Sequence, residues 1–105
     1  MPKSIVQNLD DRCFICGRYG GLHTHHIFYG AGLRKVSDKF GLTVRLCPYC
    51  HLYSDHAVHK NRKTDLWLKR LGQEAYIETY HKSADEFRSH FRKNYLEENN
   101  NGTQS

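Results

Sequence analysis

The chain has 105 residues, a formal net charge of +5 at pH 7 and a hydrophobic content of 38%. This length fits one compact domain with a small core, so a second full domain is not expected. No apolar run approaches the roughly eighteen residues of a membrane-spanning helix, and the N-terminal residues lack the apolar stretch of a secretory signal. We therefore expect a soluble intracellular protein, and its positive charge favours an anionic partner such as nucleic acid.

In chain order, the local signals predict a short N-terminal arm followed by a β-hairpin. The stretch from Leu22 to Tyr29 is rich in aromatic and β-branched residues and is followed by glycines, which predicts a strand. A second strand is predicted from Leu42 to Leu46, after a long basic loop. Pro48 then suits the first turn of a helix, because this position does not need a backbone N–H. That helix would carry Cys50 and His51.

Two further helices are predicted in the C-terminal part. One runs from Thr64, which with its neighbour can cap a helix, to about Tyr80. The second follows a capping-box sequence at Ser83–Glu86, and its aromatic residues recur at helical spacing and are predicted to be core. The predicted fold is α+β: one domain over residues 1–105, with a zinc-stapled hairpin-and-helix finger at 12–60 and a helical extension at 64–97.

Four cysteines form two Cys-x-x-Cys pairs that are separated by thirty residues. Each pair can place two thiolates on one tetrahedral Zn²⁺ ion. Four thiolates fill the coordination sphere, so this ion would be structural and not catalytic. The alternatives are unrelated buried thiols or a redox pair, although a redox pair more naturally follows a strand in a βαβ unit. The predicted zinc ligands are Cys13, Cys16, Cys47 and Cys50.

Histidines are concentrated in the same region, where six of the eight lie between His23 and His59. Three motifs, Cys13-x-x-Cys16, His25-His26-Ile27 and Leu46-Cys47-x-x-Cys50-His51, together resemble the cysteine-bearing branch of the HNH, or His-Me finger, endonucleases. The match covers about half of the chain. It is similar in particular to small HNH proteins that phages and prophages encode.

This resemblance implies a ββα-metal finger with a divalent ion between strand and helix. It assigns His25 as a metal ligand, His26 as the general base and His51 as a further ligand. The catalytic ion would be Mg²⁺ or Mn²⁺, with other divalent ions possible, and the reaction would be DNA cleavage that leaves a 3′-hydroxyl. The implied setting is phage or prophage DNA processing or recombination in the bacterial cytoplasm.

Two features depart from the family pattern. Leu42 or Thr43 stands where the family has an asparagine that steadies the base histidine. Successive side chains of a strand also point to opposite faces, so His25 and His26 reach one site only if the backbone bends or bulges. His23 lies on the same face as His25 and is a rival ligand.

The spacing after His51 suggests a third ligand. Asp55 lies four residues later, so an unbroken helix would put both side chains on one face. We predict that Asp55 is the third ligand, the alternative being that Ser54-Asp55 is merely a cap or turn. His59 lies eight residues after His51 and is predicted to contact phosphate.

Basic residues in the predicted hairpin suggest contacts with a nucleic-acid backbone. Such contacts set position and salt dependence, not sequence preference. The alternative is a solvated loop, and the whole protein can also be interpreted as a non-catalytic zinc module that binds nucleic acid without needing His26. The predicted phosphate contacts are Arg34, Lys35, Lys39 and Arg45.

Overall fold

The computed structural model describes residues 4–8 and 11–96 and shows a small α+β fold, which confirms the expected hairpin and helices. Among these residues, no helix is both long and apolar enough to cross a membrane. The elements in chain order are β1 (His23–His26), α1 (Leu33–Phe40), β2 (Thr43–Leu46), a π-helical turn (Tyr49–Tyr53), α2 (Arg62–Tyr80) and α3 (Ala84–Phe91).

The two strands form an antiparallel pair in which His23 lies opposite Leu46 and His26 lies opposite Thr43, with no interruption between them. The outer edge of β2 is covered. The amide of Arg45 donates to the Gln7 side chain at 2.7 Å, and its carbonyl accepts from the Phe14 amide at 2.8 Å. In the two-stranded sheet, β1 has a strand partner on one side only.

The connection between the strands is not the loop that the sequence predicted, because it contains α1. Half-buried hydrophobic side chains of this helix pack against the core, and the buried hydroxyl of Ser37 bonds both to the amide and to the carbonyl of Phe28. Gly32 and Gly41 flank the helix with φ of 85° and 74°, a region that favours glycine. The basic residues predicted on a loop therefore lie on or beside a short helix.

The helix predicted after Pro48 is a single π-helical turn. It ends at Ser54, whose backbone is extended and whose amide donates to the Tyr49 carbonyl at 2.9 Å. An unbroken helix from His51 through Asp55 does not exist, so the spacing argument that put these two side chains on one face was wrong.

The C-terminal helices pack on the same core as the hairpin. Asn61 caps α2, since its side chain accepts from the amides of Lys63 and Thr64, so this helix begins before the predicted Thr64. The predicted cap at Ser83 is confirmed, because its hydroxyl accepts from the Glu86 amide at 3.1 Å. The ring of Phe28, just after β1, lies 5.3 Å from the ring of Phe87 and 4.6 Å from that of Phe91.

Gly72 allows α2 to approach the end of β1 closely. A Cβ atom at this position would lie 3.0 Å from the Phe28 ring and 3.2 Å from the Ile27 side chain. Both neighbours are fully buried, so they have little room to move.

We expect Gly72→Ala to lower the free energy of unfolding by about 1 kcal/mol, because overpacking of ~1–3 kcal/mol exceeds the helix-propensity gain of ~1 kcal/mol. Urea unfolding measures this change. Thr79→Ala, at an exposed position of the same helix, is the control and should not lose stability. A Gly72→Ala protein more stable than the wild type would contradict the close packing.

Candidate metal centres

The two cysteine pairs meet in one cluster, and their four sulfur atoms lie within 4.8 Å of one another. The sulfur atoms of Cys16 and Cys47 are 3.7 Å apart. Tetrahedral Zn²⁺ with Zn–S near ~2.3 Å separates its ligands by about 3.8 Å, whereas a disulfide needs ~2.05 Å. Cys13, Cys47 and Cys50 are buried and Cys16 is exposed. The cluster is positioned to hold a metal ion, and its thiolate donors suit structural zinc.

Hydrogen bonds prepare one thiol of the cluster for ligation. Burial by itself would raise the pKa of Cys13, but backbone N–H groups, first those of Cys16 and Cys47, lower it to about 6. Burial raises the pKa of Cys50. The Nε2 atom of His56 lies 3.5 Å from the Cys50 sulfur and can support it from outside the cluster.

We expect about one tightly held zinc ion per chain from this cluster, measured by elemental analysis of protein purified without added metal. Cys47→Ser should lose the ion and lower the melting temperature by more than ~10 °C, because zinc binding and folding are coupled in small domains. Retention of wild-type zinc content by Cys47→Ser, or disulfides within the cluster by mass spectrometry, would contradict the assignment.

A second group, of three imidazoles, lies between β1 and the segment that follows β2. It consists of His25 on β1, His51 on the π-turn and His59, and one potential ligand atom from each lies within 4.8 Å of the others. The ring centroids are 5.3 Å apart for His25 and His51, 5.1 Å for His25 and His59, and 4.8 Å for His51 and His59. His25 is only 2% exposed.

The hydrogen bonds of these rings leave nitrogen atoms available for an ion. The Nδ1 atom of His51 lies 2.9 Å from Nδ1 of His23, so one of them donates to the other. Donation from His51 would leave its Nε2 as a metal ligand with a fixed tautomer. The buried Nε2 of His25 has no hydrogen-bond partner among the described residues. Buried polar atoms are rarely left in this state, and a bound cation would satisfy this one.

Electrostatics keep two of the rings neutral. Burial lowers the pKa of His25 to about 3, and the neighbouring His51 and His59 add to the effect. Burial also lowers the pKa of His51 to about 4, again with a contribution from His59. At pH 7 both rings therefore carry a free lone pair, which is the state that binds metal.

We expect His25 and His51 to remain neutral down to about pH 5 in protein that carries metal only at the cysteines. Their imidazole NMR resonances, followed against pH, measure this directly. The unfolded chain takes up protons near ~6.5, above the folded-state values, so the free energy of unfolding should decrease as the pH falls from 6.5 toward 4. Titration midpoints near 6.5 for both rings would contradict the buried cluster.

A cleft of about 390 Å³ opens over the three imidazoles. His26 also lines it, although His25 and His26 are successive residues of a strand with no bulge. The full lining comprises Thr24, His25, His26, Tyr29, Gly30, Arg34, His51 and His59.

The ring of His26 lies next to a carboxylate on α1. Its Nε2 lies 3.4 Å from Oδ1 of Asp38, whose side chain is one-third exposed. The two residues expected at the asparagine position of the HNH motif serve other purposes here. Leu42 is fully buried in the core, and Thr43 pairs with His26 in the sheet.

The structure brings together some of the predicted site residues and not others. His25 and His51 meet as predicted, but Asp55 is exposed and does not belong to the described group of potential ligands. His59, predicted as a phosphate contact, takes its place. The cause is the turn after Tyr53, which returns the chain so that the His59 amide donates to the His51 carbonyl at 3.3 Å. The rival His23 bonds to the ring of His51 and is not in the group.

The predicted basic residues lie at different distances from the cleft. Arg34 lines it, and Lys35 lines an adjoining hollow of about 560 Å³ together with His26 and Asp38. Among the described residues, Lys39 and Arg45 line neither space: Lys39 lies over the Phe40 ring, and Arg45 is half-buried beside the N-terminal arm.

Tyr29 is a site residue that the sequence interpretation missed. Its ring lies 5.8 Å from that of His25 and 5.2 Å from that of His59. Its hydroxyl donates to Asp65 of α2 at 3.1 Å, and Asp65 also accepts from Lys69 at 2.7 Å. Burial raises the pKa of Tyr29 to about 12, so it stays a donor at neutral pH. The only signal in the sequence was its place at the end of the first strand.

Neither a family model, nor a curated protein, nor a solved structure matches this chain. The site itself combines a closed group of four thiols with an open group of three imidazoles and a further histidine on one cleft. Three imidazoles leave an ion with an open coordination position, which is the arrangement of catalytic and not of structural zinc sites.

Proposed function

We propose that the protein is a metal-dependent endonuclease of the HNH type that hydrolyses phosphodiester bonds in DNA. The observation that carries the proposal is the unpartnered Nε2 of the buried His25, close to His51 and His59 and on the same cleft as His26. Arg34 adds positive charge at that cleft. The sequence motifs favour a phage or prophage protein that acts in DNA processing or recombination in a bacterial cell.

The proposed finger consists of β1, β2 and the π-turn, and a catalytic ion would be held by residues of the strand and the turn. His25, His51 and His59 would hold this ion. Imidazole donors suit Zn²⁺, Ni²⁺, Co²⁺ or Cu²⁺, whereas Mg²⁺ and Mn²⁺ prefer carboxylate and water oxygens. We therefore favour Zn²⁺, Co²⁺ or Ni²⁺ over the Mg²⁺ or Mn²⁺ expected from the sequence. When bound, the ion would stabilise negative charge on the phosphate oxygens.

His26 is the proposed general base. A water molecule attacks phosphorus and gives its proton to a ring nitrogen of His26, while the bond from phosphorus to the 3′ oxygen breaks. The products are a 3′-hydroxyl, after that oxygen gains a proton, and a 5′-phosphate. A neutral imidazole can accept a proton from water near neutral pH.

Asp38 is proposed to orient His26, in the part that an asparagine plays in the family which the sequence resembles. A carboxylate oxygen close to Nε2 favours the tautomer that carries its proton there, which would leave the lone pair on Nδ1 to accept the proton of the water. The contact of 3.4 Å between Nε2 and Asp38 supports this role. The support comes from α1, an element that the sequence did not predict.

We expect the purified protein to nick supercoiled plasmid when Zn²⁺, Co²⁺ or Ni²⁺ is supplied, and His26→Ala to reduce the rate by ~10²–10⁴-fold. Gel analysis across a series including Mg²⁺ and Mn²⁺ measures this. His81→Asn is the matched control, because His81 has a φ of 56° that asparagine tolerates. If no ion supports nicking while the cysteine site holds zinc, a non-catalytic nucleic-acid-binding module becomes the better interpretation.

Asp38→Asn should keep at least half of the nicking rate, since its amide oxygen can still accept from His26, whereas Asp38→Ala should lose about tenfold in kcat with KM little changed. Single-turnover kinetics with a short duplex substrate separate the two parameters. Equal rates for Asp38→Ala and the wild type would remove Asp38 from the mechanism.

A further inference from the structure

An exposed surface of cations and tyrosines covers the outer side of the π-turn; we name it the Tyr-Lys face. Its members form a continuous series of contacts. The guanidinium of Arg18 lies 4.9 Å from the Tyr49 ring centroid, the Tyr49 and Tyr53 rings are 6.4 Å apart, and Lys60 donates to the Tyr53 carbonyl at 3.4 Å. The face comprises Arg18, Tyr49, Tyr53 and Lys60.

The charge of this face is largely uncompensated. Among the described residues, neither of its two cations forms an ion pair. Asp55 is the one acidic residue in the sequence from Tyr49 to Lys63. The two tyrosines between the cations are 56% and 64% exposed, although large aromatic side chains are usually more buried. The surface therefore offers both positive charge and free ring area.

The face is close in the chain to the proposed catalytic site, although none of its residues lines the cleft. Its tyrosines lie on the π-turn that carries His51, and Lys60 directly follows His59. Arg34, on the helix that follows β1, lines the cleft itself.

We propose that the Tyr-Lys face binds an unpaired strand of nucleic acid next to the cleavage site. Cations that track a backbone, interleaved with aromatic rings on which bases stack, are the means by which proteins bind single strands without sequence preference. Bases inside a duplex do not expose their ring faces, so the tyrosines contribute only where the strand is unpaired. The inference rests on the proposed function only in placing the scissile bond at the imidazoles, because strand binding itself needs no catalysis.

Fluorescence anisotropy of the His26→Ala protein, without added divalent metal, tests the proposal. The probes are a labelled thymidine 20-mer and a duplex of 20 base pairs. The 20-mer should bind at least fivefold more tightly than the duplex. Adding Tyr49→Leu/Tyr53→Leu should weaken binding of the 20-mer about tenfold and change duplex binding less than twofold. Zinc content and melting temperature report whether this variant remains folded.

A matched pair of double substitutions tests the cations. Arg18→Ala/Lys60→Ala and Lys82→Ala/Arg88→Ala remove the same charge, but only the first pair lies on the face. The first should reduce the slope of log affinity for the 20-mer against log salt concentration by about 1.4, and the second should leave it unchanged.

Three results would overturn the proposal: equal effects of the two double substitutions, equal weakening of single-strand and duplex binding by the tyrosine changes, or binding of poly-glutamate in preference to the 20-mer. The last would indicate an acidic protein partner. Failure of the proposed function gives a different result. If the protein binds the 20-mer through this face but never nicks plasmid, the strand-binding inference stands and only the nuclease proposal is wrong.

Discussion

The convergence of four sulfur atoms on one point is the constraint from which the rest of the site follows. Cys47 and Cys50 flank and enter the π-turn, so fixing their sulfur atoms against Cys13 and Cys16 also fixes His51, the next residue. The same turn directs the return of the chain, since the Val58 amide donates to the Cys50 carbonyl at 2.8 Å and places His59 beside His51. In a chain with so small a core, a metal staple can supply the rigidity that the imidazole group requires.

The helices behind the hairpin support the same site from the other side. The close approach of α2 at Gly72 packs it against Ile27 and Phe28, immediately after the histidine-bearing strand. Through Asp65, α2 also holds the hydroxyl of Tyr29, whose ring lies against two imidazoles. Helix α2 thus supports the wall of the site through Tyr29 and also forms part of the core.

The sequence predicted the fold class, both strands, the two C-terminal helices and the cysteine cluster, because these depend on local periodicity and ligand spacing. The sequence did not predict α1, because a polar eight-residue segment between glycines resembles a loop. Only in the folded structure do Ser37 and its half-buried neighbours pack against the core. The sequence interpretation named Asp55 and not His59 as the third ligand because it assumed helical spacing beyond Tyr53. Where a helix ends depends on tertiary contacts, which the sequence does not show. The contact of His26 with Asp38 depends on where α1 packs, so it could not be predicted from the sequence either.

The central claim is that the thiolate staple assembles a second, open centre from three imidazoles. Anomalous diffraction from crystals of the zinc-bound protein soaked in Co²⁺ tests it most directly. We expect two sites, zinc among the four sulfur atoms and cobalt bound to one nitrogen each of His25, His51 and His59, at distances near ~2.1 Å. Full occupancy at the cysteines with no cobalt among the three imidazoles would contradict the account.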